Sequence, residues 1–276
     1  MVVGVVGLGL IGGSMAQAVR ANTSHTVLGM DQNAQVEAEA LQSKVLDGIL
    51  NEETLPNCDF LLLALYPQVA VAYMETHAAS LKKGACVVDL CGVKRVVSDA
   101  LVPLSLTHGF HFIGGHPMAG REKSGYAAAN PDLFQGASMI LTPHDKTPAD
   151  VLTRTEAFFQ ALGFGGIRIT DEETHDRMIA YTSQLAHVLS NAYIKSPQAL
   201  RHKGFSAGSF QDLTRVATLN ADMWTQLFLD NRDFLTEEID ALCERLAAYS
   251  EALKAQDKKA LHALLQEGSD WKAKTL

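Results

Sequence analysis

Along residues 1–169, short runs that are almost wholly apolar alternate with stretches in which apolar positions recur every three or four residues. The runs at 1–6, 26–30, 58–65, 85–90, 138–142 and 165–169 read as strands, and the stretches at 15–21, 33–42, 69–81 and 148–162 as helices. A run such as 58–65, apolar at nearly every position, fits a parallel strand covered on both faces. The alternation predicts an N-terminal doubly wound α/β sheet over residues 1–169. Beyond that point strand signals stop, and the pattern predicts an all-α unit over 170–276, with one helix at 171–194 and an αα-hairpin made by 225–254 and 258–272. Leu227, Leu235, Ile239, Leu242, Leu246 and Leu253 form an apolar stripe there, suited to a core or to the seam of a dimer.

The turn after the first strand carries Gly7, Gly9 and Gly12 in the spacing GxGxxG, with Leu10 and Ile11 between the second and third glycines. Strand, glycine turn and helix in that order make a dinucleotide cradle. The first glycine allows the tight turn, the second lets a pyrophosphate approach the backbone, and the third lets helix and strand pack closely. The second strand ends on Asp31, nineteen residues after Gly12, where a carboxylate accepts hydrogen bonds from ribose hydroxyls and repels a 2′-phosphate. The cofactor expected is therefore NAD. The bland alternative for Asp31 is a cap for the helix beginning near Asn33.

Residues 112–120, FIGGHPMAG, fit neither period and read as a shaped loop. Pro117 stiffens the chain beside His116, and the flanking glycines permit close backbone approach. A histidine presented in this way is a general acid/base candidate, the alternative being a hydrogen-bonded structural histidine. Gly92 lies in the turn after the strand at 85–90, at the end of the sheet where ligands bind. In the helical half, Gln184 and His187 share a helix face, where they meet either substrate or packing neighbours. Arg215 suits a carboxylate clamp, unless it is a solvated charge paired with Asp212.

Composition narrows the classes. With 47% hydrophobic and 20% charged residues, the 276-residue chain is an ordinary globular one. Its net charge of −8 disfavours nucleic acid and anionic membranes as partners. The four cysteines show neither a disulfide framework nor zinc-ligand spacing, so no metal is expected. Reduced thiols and the lack of a signal-like or membrane-spanning run point to the cytoplasm.

Taken in order, GxGxxG with Asp31, FIGGHPMAG, the EKSG run at 122–125, SQLAH and FQDLTR make the chain resemble the prephenate dehydrogenases and the related arogenate dehydrogenases over essentially its full length. The resemblance implies a Rossmann domain followed by a helical dimerisation domain, a homodimer, and NAD(P)-dependent oxidative decarboxylation in tyrosine biosynthesis. It further implies that His116 is catalytic, that His187 and Glu122 belong to the substrate pocket, and that Arg215 binds substrate carboxylate. Gln184 and Asp212 join the expected substrate site, and Gly92 the cofactor site. Many members carry serine where this chain has Gly92, and some carry histidine where it has Gln184. Prephenate is the expected substrate and arogenate the alternative. Less favoured readings are another β-hydroxyacid-type dehydrogenase, which would rest on a helical lysine, and a non-catalytic NAD-sensing dimer.

Overall fold

In the computed structural model, which describes residues 1–120 and 123–275, the chain opens with β1 (Val2–Val6), α1 (Leu10–Asn22), β2 (Thr26–Met30), α2 (Ala34–Gln42) and β3 (Gly48–Ile49). There follow β4 (Phe60–Leu63), α3 (Pro67–His77), β5 (Cys86–Asp89), α4 (Arg95–His108) and β6 (His111–Pro117). The sheet is completed by β7 (Ser138–Pro143), α5 (Ala149–Ala161) and β8 (Gly166–Ile169). The strand order is β3-β2-β1-β4-β5-β6-β7-β8, and among the pairs only β6–β7 is antiparallel. Residues on β4 and β5 are buried at every position, as a sheet covered on both faces requires. Val3, Val5, Leu62, Val88 and Ile113 pack with Met15 and Phe159 in one apolar cluster. Val6, Leu61, Leu63, Val87 and Phe112 join Met74 and Leu101 in a second. The two-residue period of the strands thus sends alternate side chains to separate layers.

One expectation is corrected here, and two further features lay outside the sequence pattern. The stretch read as a shaped loop is largely β6, a strand that runs through the glycine pair to Pro117. A Cβ at Gly114 would stand 2.2 Å from Thr142 Oγ1, and one at Gly115 would stand 2.6 Å from the Asp89 carbonyl oxygen, so the glycines serve close packing between strands. The strand at 138–143 pairs antiparallel with β6, which apolar content alone does not reveal. Residues 95–108, assigned no element from the pattern, form α4, with Pro103 inside the helix.

The helical half begins with α6 (Glu172–Ile179), capped by Asp171, whose side chain accepts from Thr174 N at 2.7 Å. A π-helical turn at Ala180–Leu185 joins it to α7 (Ala186–Tyr193), so the single helix expected at 171–194 is continuous but locally widened and underwound by an extra residue. Then come α8 (Gly208–Thr214), α9 (Ala221–Asp230), α10 (Arg232–Lys254) and α11 (Lys258–Ala273). The long helix expected from 225 to 254 is broken at Asn231, whose side chain turns inward. On the α10–α11 hairpin Leu246, Leu253, Leu265 and Trp271 are 53–61% exposed, a row of apolar groups that this chain leaves uncovered. Among the described residues no helix is long and apolar enough to cross a membrane.

Candidate active site

The turn between β1 and α1 has the shape that its glycines foretell. Gly7 takes φ +86°, and a Cβ at Gly12 would stand 1.8 Å from the Gly7 carbonyl oxygen, so neither position accepts a side chain. A Cβ at Gly9 would meet nothing within 4 Å, which leaves the approach to the backbone open. Gly9 caps α1 without a side-chain hydrogen bond, and the first turn, where Leu10 and Ile11 lie, carries no acidic residue. The positive end of α1 is thus available to an anion. Asp31, just past β2, is pinned: Oδ2 accepts from Leu8 N at 2.8 Å and Oδ1 from Asn33 N at 2.9 Å. The cap of α2 is Asn33, not Asp31, which removes the bland alternative. These residues fit a dinucleotide: backbone donors for a pyrophosphate, and an oriented carboxylate for ribose hydroxyls.

Gly92 follows β5 on the same edge of the sheet. A Cβ there would first touch Leu227 at 3.6 Å, so the site has room for a side chain that the sequence does not supply.

His116 stands three residues past Ile113, the register partner of Val88, at the carboxyl end of the sheet. It is half-buried, and its Nδ1 lies 2.9 Å from Nε2 of His175 on α6. His175 is buried, and its Nδ1 lies 2.7 Å from Asp176 Oδ1. Asp176, buried as well, accepts from Lys94 N at 2.8 Å, Arg95 N at 3.0 Å and Arg95 Nε at 3.2 Å. The start of α4 therefore holds the carboxylate in place. Below His116, the fully buried Lys94 ammonium pairs with Asp89 Oδ2 and donates to the Gly115 carbonyl at 2.6 Å. Asp89 in turn accepts from Gly115 N at 3.2 Å and Cys91 N at 3.0 Å.

Burial pushes the His116 imidazole well below its ordinary 6.5, with the neighbouring His175 and the Lys94 charge acting in the same direction. Burial likewise lowers His175, against the opposing hydrogen bond to Asp176. For Asp176 burial works upward but is outweighed, first by the hydrogen bond from His175 and then by the backbone N–H groups of Arg95 and Lys94. At neutral pH the pair of rings is uncharged and the carboxylate ionised, so His116 is available as a base.

The other expected residues fall in different places. Gln184 is buried within the π-helical turn, its amide donating to the Leu227 carbonyl at 3.1 Å and accepting from Asn231 Nδ2 at 2.8 Å. Its polar atoms tie the π turn to the α9–α10 junction. Asn231 Nδ2 also donates to the Asp176 carbonyl at 2.8 Å, which joins this tether to the histidine pair. His187 donates from Nδ1 to the Ser183 carbonyl at 2.8 Å and lies against Trp224, with ring centroids 4.1 Å apart. Asp212 and Arg215 are exposed at the end of α8. Glu122 lies outside the described residues. Sequence reasoning missed Asp89, Lys94, Arg95, His175, Asp176 and Asn231. The adjacent His–Asp pair in the first turns of a helix, three and four residues before the buried Ile179, is the one signal that marked an inward-facing titratable couple.

Comparison with known proteins decides the family. Residues 15–165 match the prephenate dehydrogenase nucleotide-binding domain, and residues 171–267 match the prephenate dehydrogenase dimerization domain. The chain belongs to the prephenate dehydrogenase family. It is 29% identical over 274 residues to the prephenate dehydrogenase of Lactococcus lactis, spanning 96% of this chain and 74% of that one. It superposes with TM-score 0.87 on A. aeolicus prephenate dehydrogenase in complex with hydroxyphenyl propionate and NAD+, at 26% identity over 100% and 98% of the two chains. Against Synechocystis arogenate dehydrogenase the TM-score is 0.85, at 27% identity and full coverage of both chains. In this member of the prephenate dehydrogenase family, the histidine pair joins the two matched regions: His116 belongs to the first and His175 to the second.

Proposed function

We propose that the protein catalyses the NAD-dependent oxidative decarboxylation of prephenate to 4-hydroxyphenylpyruvate, a step of tyrosine biosynthesis. The observation that carries this reading is a neutral histidine at the carboxyl end of the sheet whose glycine turn and Asp31 form the dinucleotide cradle. Gly7, Gly9, Leu10, Ile11 and Gly12 would hold the pyrophosphate and Asp31 the ribose. Bound NAD supplies the acceptor for the hydride that leaves C4 of the ring while the ring carboxylate departs as carbon dioxide. His116 takes the proton of the C4 hydroxyl as that carbon is oxidised and returns it to the same oxygen once the ring is aromatic. Protons balance without an external donor. Arg215 orients the dianionic substrate through a carboxylate, and His187 lies on its side of the pocket. Incubating the protein with NAD and prephenate should produce NADH and carbon dioxide in equal amounts. Failure to form NADH would refute the assignment.

Prephenate is proposed over arogenate because Arg215 offers positive charge and donors, which disfavour a nearby ammonium. The ratio of kcat/KM for the two substrates checks this. A tenfold preference for arogenate, about 1.4 kcal/mol, would show that a carboxylate such as Asp212 faces the ammonium instead.

Replacing Asp31 by serine should erode discrimination against NADP, since the carboxylate that repels a 2′-phosphate is gone. Wild-type protein that uses NADP as well as NAD would contradict the role given to Asp31. Arg215→Ala should raise KM for prephenate far more than it lowers kcat, because a carboxylate clamp acts in ground and transition states alike. An unchanged KM would remove Arg215 from the site.

We further propose that residues 1–169 and 170–276 are the two domains, and that the protein is a homodimer joined through the exposed leucines and Trp271 of α10 and α11. Its four free cysteines, three of them buried, suit the reducing cytoplasm.

A further inference from the structure

We infer that His175 and Asp176 are positioning residues that hold the His116 proton on Nδ1, so that Nε2 is the atom that takes the substrate's proton. The inference rests on the dehydrogenase reading for its purpose but on geometry for its content. An ionised carboxylate only accepts hydrogen bonds, so at 2.7 Å from Asp176 Oδ1 the Nδ1 of His175 must carry a hydrogen. A neutral imidazole has one N–H, and His175 therefore presents a bare Nε2. Facing that lone pair at 2.9 Å, Nδ1 of His116 must be the donor. Its own Nε2 is left unprotonated, and no described residue is bonded to it.

The opposite arrangement fails at the first link. A hydrogen on Nε2 of neutral His175 would set the bare Nδ1 against the carboxylate, two acceptors 2.7 Å apart. Asp176 has no freedom to turn away. Oδ1 also accepts from Lys94 N, Oδ2 accepts from Arg95 N and Nε, and the backbone carbonyl accepts from Asn231. A charged His175 would reverse the chain, but the ring is buried beside the Lys94 ammonium, which opposes a second cation there. The groups facing the two rings are Asp89 and Lys94 from β5 and the turn after it, Arg95 from α4 and Asp176 from α6 itself. The helical half thus sets the protonation pattern of a base carried by the sheet, and it does so without touching the reacting atoms.

Two experiments test this. In the full-length protein labelled with ¹⁵N-histidine, the His116 signals, assigned by their loss in His116→Asn, should show Nδ1 protonated and Nε2 bare at neutral pH. A protonated Nε2 overturns the inference. That measurement needs no substrate, so its failure is distinct from failure of the prephenate assay. In the second, His175→Leu removes the acceptor and should lower kcat by about 10–10²-fold with KM for prephenate nearly constant, whereas His175→Gln, which places an amide oxygen near the lost nitrogen, should recover most of that loss. Equal losses in both variants, or none in His175→Leu, would show that His175 merely packs.

Discussion

His116→Asn should lower kcat by about 10²–10⁴-fold and leave KM for prephenate and NAD nearly unchanged, a loss of about 2.7–5.4 kcal/mol in transition-state stabilisation. Asparagine preserves much of the setting. Its amide can still donate toward His175 Nε2, and the backbone pairing of β6 with β7 does not depend on the side chain. What it lacks is a nitrogen lone pair that takes up a proton near neutral pH, so the effect falls on the chemical step. Steady-state kinetics on the folded variant checks this, and a kcat within a few-fold of wild type would sink the role. The acid limb of the wild-type profile carries the same information. Because burial, the neighbouring His175 and the Lys94 charge depress the imidazole, His116 remains an unprotonated base below its ordinary 6.5 and is lost only as pH falls through the lowered value. In kcat/KM the falling limb should therefore lie on the acid side of 6.5.

Lys94→Met should destabilise the protein by about 3–5 kcal/mol, the cost typical of leaving one partner of a buried ion pair behind. The ammonium and the Asp89 carboxylate are both wholly inaccessible to solvent, and the carboxylate's remaining partners are the N–H groups of Gly115 and Cys91. Methionine fills the volume of the stem but neutralises no charge, and it also removes the donor to the Gly115 carbonyl. Because these contacts join the end of β5 to β6, the damage centres on the strand that presents His116. Urea denaturation of wild type and variant measures the difference. A loss below about 1 kcal/mol would show that water or a protein rearrangement takes over the ammonium's role.

Much of the architecture was legible in the order of residues, for local reasons. The β-branched first strand, the GxGxxG turn and Asp31 are close in sequence, and their geometry depends on steric limits of a few residues, which is why the cradle could be drawn before any fold was known. The same holds for the apolar runs that became β4 and β5. Candidate chemistry at His116 was visible for a weaker reason, since glycines and a proline around one histidine mark an unusual backbone. They did not say which one. The tertiary structure made that stretch a strand, because the missing side chains of Gly114 and Gly115 matter only when Thr142 and the Asp89 carbonyl press against them from neighbouring strands. It also chose the partners. His116 and His175 are 59 residues apart, Lys94 N and Asp176 are 82 apart, and Gln184 meets Asn231 across 47. No periodicity records such pairings, because they are selected by how the helical half docks on the carboxyl edge of the sheet, where a buried polar group must find a partner or be excluded. Sequence alone therefore determined which residues form the cradle and which histidine is presented. Docking of the two halves decided that Nδ1 of that histidine meets Nε2 of His175.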